Sequence, residues 1–331
     1  MAVITQQRFE RISDGMVALR LPTALDVPAL IAGRDALFQR FLGPGSDAPE
    51  PTACIEVNGG LAGWIDYDHP RDWLQPDEVN IGYALFAQAR GPGVATRALP
   101  LLMHHLALRT SVQVGTLLIR SDNDRSLAVA RRAGFADAGI VNGSRFFKRT
   151  VPALHYDDGE LSLRPQAIAD VDADLDAKDD EQLRWLWLPS EREQWLTMSV
   201  AARREHVRRT LQSNVDAFGR GPKWCFSIDS RVAQCIAYID CDLANDRVPA
   251  GEANISYAVH PGHRGRGVAR CAVRLMLRFL CDHTGTAHAH LIVDAANRAS
   301  CRVAESVAGP AIESLRDARG GVLLRHTIGL R

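Results

Sequence analysis

Hydrophobic and polar positions pass through the same order of elements twice along this chain. Residues 77–85 and 251–259 alternate in a way that predicts strands with one polar and one apolar face. Each predicted strand is followed by a short glycine-rich segment and then by apolar residues at helical spacing. Residues 116–120 and 288–293 predict the next strand of each half, and residues 145–151 and 322–330 predict a closing hairpin-like segment.

The two halves superimpose when the chain is shifted by 174 residues, the difference between Arg264 and Arg90 (264 minus 90). The shift aligns Glu78 with Glu252, Asn80 with Asn254, Tyr83 with Tyr257, Asn123 with Asn297 and Ser126 with Ser300. Matches at this many fixed positions indicate a tandem repeat. We therefore predict two domains, residues 1–152 and 153–331, joined by a linker over residues 152–159.

The region before each central strand differs between the halves. First strands are predicted at residues 16–20 and 161–164, where the offset is 144, so the second half has 30 additional residues (174 minus 144). In the first half this interval predicts one helix over residues 24–41. In the second half, residues 180–212 predict two helices broken at Leu188-Pro189-Ser190, with Ser190 as N-cap and Glu193 as its capping-box partner.

Composition removes several classes of function. Lysine plus arginine equal aspartate plus glutamate at 39 each, and no basic block is interleaved with aromatic residues, which argues against a nucleic-acid surface. The seven cysteines form no C-x-x-C pair, and no histidine and cysteine spacing indicates a metal site. No apolar run approaches the ~20 residues that cross a bilayer, so we expect no membrane partner. With no secretion signal after Met1, we predict a cytoplasmic protein with reduced thiols; its oligomeric state stays open.

A glycine loop stands between the central strand and the helix of each half. It reads Arg264-Gly265-Arg266-Gly267-Val268-Ala269 in the second half and Arg90-Gly91-Pro92-Gly93-Val94-Ala95 in the first. Such a loop presents free backbone N–H groups at a helix N-terminus and so suits a diphosphate, although a single copy is equally typical of an ordinary turn. In the first half Pro92 removes one N–H, and Pro100 inside the helix costs about 3 kcal/mol unless the helix kinks.

These motifs resemble the Gcn5-related N-acetyltransferases (GNAT), whose R/Q-x-x-G-x-G/A loop holds the pyrophosphate of acetyl-CoA. Both halves also carry N-x-x-S, with Ala130 and Ala304 where many relatives have tyrosine, so the chain is most similar to the ribosomal-protein and antibiotic acetyltransferase branch. The resemblance implies an α/β (α+β) fold of two tandem GNAT domains, each with a mixed, splayed central sheet flanked by helices. It also implies acetyl-CoA as co-substrate and no metal.

The resemblance further implies which residues contact the coenzyme. They are Tyr257, Ala258, Val259, Arg264, Gly265, Arg266, Gly267, Val268, Ala269 and Asn297, with Arg90, Gly91, Gly93, Ala95 and Asn123 in the first half. It points to Ser300, or Ser126 in the first half, as the proton donor to the leaving thiolate. The alternative is that both serines only cap their helices.

The general base is open. Many relatives have glutamate where Asn80 and Asn254 stand, and asparagine accepts no proton at neutral pH. Asp240, Glu252 and His290 are the alternatives, although a lone histidine on a strand is more typical of packing. We place Asn254 and Asp240 with Ser300 in the predicted catalytic set.

The additional region of the second half contains Trp185, Trp187 and Trp195. The resemblance places the acceptor there, so we predict that these tryptophans form an acceptor wall, with a packed core as the alternative. The second half is predicted to be catalytic and the first a degenerate copy. The predicted activity is acetyl transfer to a primary amine of a small molecule, such as an amino-containing antibiotic. The alternatives are a protein N-terminus as acceptor, or a non-catalytic acetyl-CoA-binding or scaffold protein.

Overall fold

A computed structural model describes residues 9–316 and 321–330 of the chain. The chain forms two compact units. The first contains the chain up to Ala153 together with Asp282–Gly285, and the second contains Leu154–Cys281 and the chain from Thr286 onward. Among the described residues, no helix has the length and apolar character needed to cross a membrane.

The first unit is built on one eight-stranded sheet. Its strands are β1 (Ile12–Ser13), β2 (Val17–Arg20), β3 (Ala53–Val57), β4 (Gly60–Asp68), β5 (Glu78–Leu85), β6 (Val114–Arg120), β7 (Ala136–Val141) and β8 (Ser144–Thr150). Its helices are α1 (Val27–Ala32), α2 (Ala36–Leu42), α3 (Val94–Arg109) and α4 (Asp124–Arg132). The strand order is β1-β2-β3-β4-β5-β6-β8-β7, in which β5 and β6 are parallel and the other described pairs antiparallel.

The second unit repeats this architecture. Its strands are β9 (Tyr156–Asp157), β10 (Leu161–Pro165), β11 (Lys223–Ser230), β12 (Ala237–Asp242), β13 (Ala253–Val259), β14 (His288–Asp294), β15 (Glu313–Arg316) and β16 (Val322–Gly329). Its helices are α5 (Val171–Asp176), α6 (Asp180–Leu186), α7 (Pro189–Thr197), α8 (Val200–Ala217), α9 (Val268–His283) and α10 (Arg298–Ala308). The order β15-β16-β14-β13-β12-β11-β10-β9 contains one parallel pair among the described strands, β13 with β14. Two mixed sheets flanked by helices confirm the predicted fold class.

The parallel strands of each unit separate soon after they meet. In the second unit, β13 pairs with β14 only through Ala253 and Asn254. In the first unit, β5 pairs with β6 only through residues 78–80. Residues 255–259 and 291–294 therefore face each other without a hydrogen-bonded ladder, so the space between them is available to a ligand.

The prediction of one helix over residues 24–41 is wrong. A 3₁₀ turn at Ala24–Asp26 leads into α1, which ends at Gly33, and α2 starts afresh after Asp35. The Asp35 carboxylate accepts a hydrogen bond from Phe38 N at 3.0 Å and so caps α2, which makes a new helix start more stable than continuation. Asp179 caps α6 in the same way through Gln182 N at 2.9 Å.

The predicted pair of helices over residues 180–212 is also wrong, because three helices form there. The predicted cap at Ser190 with Glu193 lies two residues too late. Pro189 is the first residue of α7, and Glu191 accepts a hydrogen bond from Leu188 N at 2.7 Å. Helices α5 and α6 match α1 and α2 at the offset of 144, so the additional residues of the second unit form α7 and α8. The predicted linker, residues 152–159, contains β9, which pairs with β10.

Helix α3 runs through Pro100 without interruption. The proline is buried with Leu99, Leu101 and Leu102 in the first unit. Burial of this apolar surface offsets the lost backbone hydrogen bond, which the sequence alone could not show. All seven cysteines are free thiols.

Candidate active site

A cavity of about 810 Å³ lies where β13 and β14 separate. Residues 255–259 of β13 and 291–294 of β14 line its two sides, and the glycine loop and first turn of α9 close one end. Further lining residues come from α6, α10 and the loop between β12 and β13: they include Glu181, Trp185, Arg247, Asn297, Ser300, Arg302 and Val303. The cavity therefore joins most of the residues assigned to the coenzyme, and of the predicted catalytic set it includes Ser300.

The glycine loop has the shape that an anion requires. Gly265 and Gly267 have φ angles of +73° and +80°, a conformation that favours glycine, and no atom lies within 4 Å of the position of an added Cβ on either residue. The 16-residue helix α9 begins directly afterwards, so its free N–H groups open onto the cavity. The residues present thus fit a diphosphate. Val268 and Ala269 line the cavity here, whereas Arg266 does not.

The side chain of Arg264 holds the loop in place. Its Nε donates to Val259 O at 2.9 Å, and its guanidinium contacts the carboxylates of Asp179 and Glu181 at 2.7 Å. The guanidinium lowers the pKa of Asp179 by hydrogen bonding. Two carboxylates neutralise this cation, so the Arg264 side chain positions the backbone of the loop and offers no free charge.

The first unit repeats the contacts of Arg264 at its counterpart Arg90. Arg90 Nε donates to Leu85 O at 2.9 Å, and its guanidinium contacts the Asp35 carboxylate at 2.5 Å. The hydrogen bond from Arg90 lowers the pKa of Asp35 to about 2. Gly91 and Gly93 have φ angles of +109° and +81°, while Ala95 is buried at the start of α3. Asp35 and Asp179 are 144 residues apart, the offset of the first strands of the two halves. This spacing could have identified the arginine–aspartate contacts from the sequence.

In each N-x-x-S motif the asparagine caps the helix and the serine does not. The Asn297 side chain accepts a hydrogen bond from Ser300 N at 3.1 Å, and Asn123 accepts one from Ser126 N at 3.2 Å. The asparagines are therefore the N-caps, and the alternative that the serines cap these helices is wrong. Ser300 has its hydroxyl free of a capping role and lines the cavity.

Tyr257 lies beside Ser300. Its hydroxyl is buried and has no hydrogen-bond partner within 3.5 Å. Burial raises the pKa of Tyr257, and the nearby Ser300 hydroxyl offsets part of the rise. An unsatisfied buried hydroxyl beside the cavity is a polar group that a ligand would satisfy.

Asp240 is a buried carboxyl one strand away from the cavity. Burial raises its pKa to about 7, against the opposing charge of Lys223, whose Nζ lies 3.6 Å away. The Tyr238 hydroxyl donates to the same carboxyl oxygen. Asp240 does not line the cavity, but it pairs directly across the sheet with Ser256, which does. Directly paired side chains share a face and lie about 5 Å apart.

Asn254 lies behind Ser256. Its Nδ2 donates to Ser256 Oγ at 3.1 Å, and its Oδ1 is buried without a hydrogen-bond partner. Asn254 does not line the cavity. It therefore contacts the site through Ser256, a residue to which the sequence analysis assigned no role.

Glu252 and His290 bind each other away from the cavity. Glu252 contacts His290 Nε2 at 2.5 Å and His288 Nδ1 at 2.8 Å, and the other nitrogen of His290 lies 2.9 Å from the Thr327 hydroxyl. Burial lowers the pKa of His290. Neither Glu252 nor His290 lines the cavity, which favours packing for both side chains. No group of three or more His, Cys, Asp or Glu in the described parts of the chain could hold a metal ion.

The first unit differs at the positions that surround Asp240. Its counterpart Asp66 accepts hydrogen bonds from Thr52 N at 3.1 Å and Tyr67 N at 2.9 Å, and also from the Thr52 hydroxyl. Gly82 pairs with Asp66 where Ser256 pairs with Asp240. The first unit thus has the carboxyl without the neighbouring hydroxyl.

The three tryptophans of the predicted acceptor wall do not act together, and Trp185 lies in α6, outside the additional residues. Trp185 lines the cavity, with the Arg184 guanidinium 4.7 Å from its ring centre. Trp195 is 2% exposed and packs edge-on against Trp187 with ring centres 5.1 Å apart. The prediction of a wall formed by all three is therefore wrong for Trp187 and Trp195, which form a small core with α8. Arg247 also lines the cavity, and no motif in the sequence indicated that it would.

Comparisons with solved structures give several partial matches. RimL, a ribosomal L7/L12 alpha-N-protein acetyltransferase in complex with coenzyme A, is 24% identical and covers 43% of this chain and 98% of its own, with a TM-score of 0.35. A GNAT-family acetyltransferase from Bacillus anthracis is 12% identical over 53% and 98%, with a TM-score of 0.43. A spermidine N-acetyltransferase SpeG chimera from Vibrio cholerae is 14% identical over 52% and 96%, with a TM-score of 0.39. A search of curated proteins finds no match.

The sequence profile of one family matches most of this chain. It is described as the acetyltransferase (GNAT) domain, and it matches residues 35–136 and again residues 160–308. Each match contains one central strand, one glycine loop and one N-x-x-S motif. With two mixed sheets and two matched segments, the chain belongs to the GNAT acetyltransferase family in a tandem form.

Proposed function

We propose that the second unit transfers the acetyl group of acetyl-CoA to a primary amine. The observation that carries this proposal is the separation of β13 from β14 just before a glycine loop, which creates one cavity from the loop to Ser256 and Ser300. Acetyl-CoA supplies the activated thioester. The reaction is proposed to take place in the cytoplasm, in keeping with the free thiols. The proposed domain limits are residues 1–152 and 153–331.

The backbone supports binding and polarisation. The loop around Gly265 and Gly267 would hold the diphosphate through N–H groups, with Asn297 beside it. Residues 257–259 have no ladder with β14, so their N–H groups on that side are free to polarise the thioester carbonyl. Tyr257 and Ser300 face the same space.

The side chains support two proton movements. The amine nitrogen forms a bond to the acetyl carbon as the carbon–sulfur bond breaks, and one proton leaves the nitrogen. We assign the general base to Asp240, whose pKa of about 7 suits a base at neutral pH, with its register partner Ser256 between it and the cavity. Ser300 donates a proton to the departing sulfur and regains one from solvent, while Asp240 releases the amine proton to solvent.

The first unit is proposed to be a non-catalytic copy. Its Asp66 is held by Thr52 and Tyr67, and Gly82 supplies no hydroxyl. At its opening, Arg40 of α2 contacts Asp122 at 2.9 Å, a residue of the turn before α4, and Arg120 contacts the same carboxylate at 3.0 Å. These contacts join the two sides of the region that is open in the second unit.

Binding can be tested with one substitution made at both loops. Gly267→Val places a β-branched side chain at positive φ where a ligand would lie, so we expect at least about a tenfold loss of acetyl-CoA affinity by calorimetry. Gly93→Val imposes the same backbone strain at φ +81° in the first unit and is expected to leave affinity nearly unchanged. Loss of binding only in the Gly93 variant would assign the coenzyme to the first unit instead.

Measured turnover distinguishes an enzyme from a non-catalytic acetyl-CoA-binding protein. The presence of Asn254 where many relatives have glutamate favours the non-catalytic alternative. Ser300→Ala should lower turnover by about 10²- to 10⁴-fold, because one proton donor is lost, while acetyl-CoA affinity stays nearly unchanged. Ser126→Ala, the matched control, should leave both quantities unaltered. A Ser300→Ala enzyme with normal turnover would remove Ser300 from the mechanism, and a wild-type protein that binds acetyl-CoA without transfer to any amine would favour a binding role.

A further inference from the structure

We infer that the acceptor amine carries an anionic group, a carboxylate or a phosphate, which Arg247 binds. This inference rests on the proposed function, since it concerns the acceptor end of the same cavity. It differs from the cationic, antibiotic-like acceptor expected from the sequence.

Arg247 enters from the end of β13 opposite the glycine loop. It lies in the connection between β12 and β13 and lines the cavity, whereas the glycine loop follows the far end of β13. Seven residues of strand at about 3.3 Å per residue separate the two ends by about 20 Å. A diphosphate held at the glycine loop therefore lies far from Arg247, and this cation is available to the acceptor.

No carboxylate of the described residues forms an ion pair with the Arg247 side chain within 4.0 Å. Its backbone N–H donates to the Asn245 side chain at 3.0 Å, which fixes the loop. The acidic cavity residues are engaged elsewhere: Glu181 pairs with Arg264, and Asp294 accepts a hydrogen bond from Ala296 N at 2.8 Å. Arg247 is therefore an unneutralised cation that lines the cavity.

The first unit has an aromatic residue at the position of Arg247. Asp68 pairs with Asn80, and their counterparts Asp242 and Asn254 pair in the second unit with the same spacing. Trp73 is therefore the counterpart of Arg247 (247 minus 174). Trp73 packs edge-on against Phe146 with ring centres 5.5 Å apart. Phe146 pairs across the sheet with Leu118. The counterpart of Leu118 is Ile292, which pairs with Arg325, so Arg325 is the counterpart of Phe146.

An aromatic contact in the first unit is therefore replaced by two arginines in the second. Arg325 contacts Glu313, but its Nε is buried without a hydrogen-bond partner. Glu313 neutralises Arg325, whereas no carboxylate of the described residues forms an ion pair with Arg247, so Arg247 is the guanidinium available to an anionic ligand. Carboxylate and phosphate are the anions that arginine binds in a bidentate manner.

The test uses pairs of amines that differ only in the anionic group. Phenylalanine is compared with phenethylamine, and O-phosphoethanolamine with ethanolamine, by kcat/KM at saturating acetyl-CoA. We expect the full-length wild-type protein to prefer the anionic member of at least one pair, and the preferred pair identifies carboxylate or phosphate. Arg247→Gln should reduce that preference about 10- to 100-fold without changing acetyl-CoA affinity.

Two further measurements make the result decisive. Arg247→Glu should reverse the preference, so that the amine without the anionic group reacts faster. Arg231 is an exposed arginine outside the cavity, so Arg231→Gln should leave the preference unchanged. Transfer to both members of each pair with equal kcat/KM in wild type and Arg247→Gln would overturn the inference while the proposed function stands. Absence of acetyl-CoA binding by the wild type would overturn both.

Discussion

Replacing Asp240 with asparagine should lower turnover by about 10²- to 10⁴-fold, because the amide cannot accept the proton that leaves the amine. The wild-type rate should rise with pH through about 7, the pKa to which burial raises this carboxyl. The Asp240→Asn variant should lose this rise. Initial rates of acetyl transfer between pH 5.5 and 8.5 at about equal coenzyme saturation measure both effects.

The same substitution should increase stability at high pH. The carboxyl holds its proton up to about pH 7 in the folded protein but only up to about 3.8 when unfolded, so the folded state binds more protons between these values. The free energy of unfolding therefore falls as pH rises through this window, by at most about 4 kcal/mol. Urea unfolding of Asp240→Asn should lack this fall and exceed wild type at pH 8.

Asp66→Asn is the matched control, because Asp66 is the repeat counterpart of Asp240 in the first unit. Its Oδ1 receives hydrogen bonds from Thr52 and Tyr67, so the substitution should affect stability and not the pH dependence of the rate. An Asp240→Asn enzyme with a normal rate and a normal pH profile would leave Asp240 as a buried structural acid and return the general base to the open alternatives.

The repeat and the glycine loops could be predicted because each depends on residues close together in sequence. Periodicity places β13 and α9 on either side of Gly265 and Gly267, and local sterics require glycine at their positive φ angles. The point at which β13 leaves β14 could not be predicted, since it depends on pairing between segments more than thirty residues apart. For the same reason, the neighbourhood of Ser256 and Asp240 is visible only from the strand register.

Helix boundaries and charge partners show the same limit. The apolar spacing of residues 24–41 suits one helix, but the Asp35 cap divides it, and the cap is in turn held by Arg90 from a distant loop. Arginine in the glycine loop suggests phosphate binding when the loop is considered alone. Its carboxylate partners lie in helices of the preceding region, which only the folded chain brings together.

Trp195 and Trp185 separate a stability effect from an acceptor effect. Trp195→Ala should lower the free energy of unfolding of the second unit by about 3 to 5 kcal/mol, because it removes a fully buried side chain from a small core. That core contains Val171, Leu183, Val207 and Leu211. The Arg203 guanidinium lies 5.4 Å from the Trp195 ring centre, and Trp187 packs against its side.

Trp185→Ala is the control for this substitution, since Trp185 lines the cavity and lies outside that core. It should raise the acceptor KM several-fold, with a change in unfolding free energy of about 1 kcal/mol or less. Urea denaturation followed by circular dichroism gives the stabilities, and acetyl transfer gives KM for the folded protein. If Trp195→Ala kept wild-type stability and raised the acceptor KM, the cluster around Trp195 would be a binding wall rather than the core that supports Trp185.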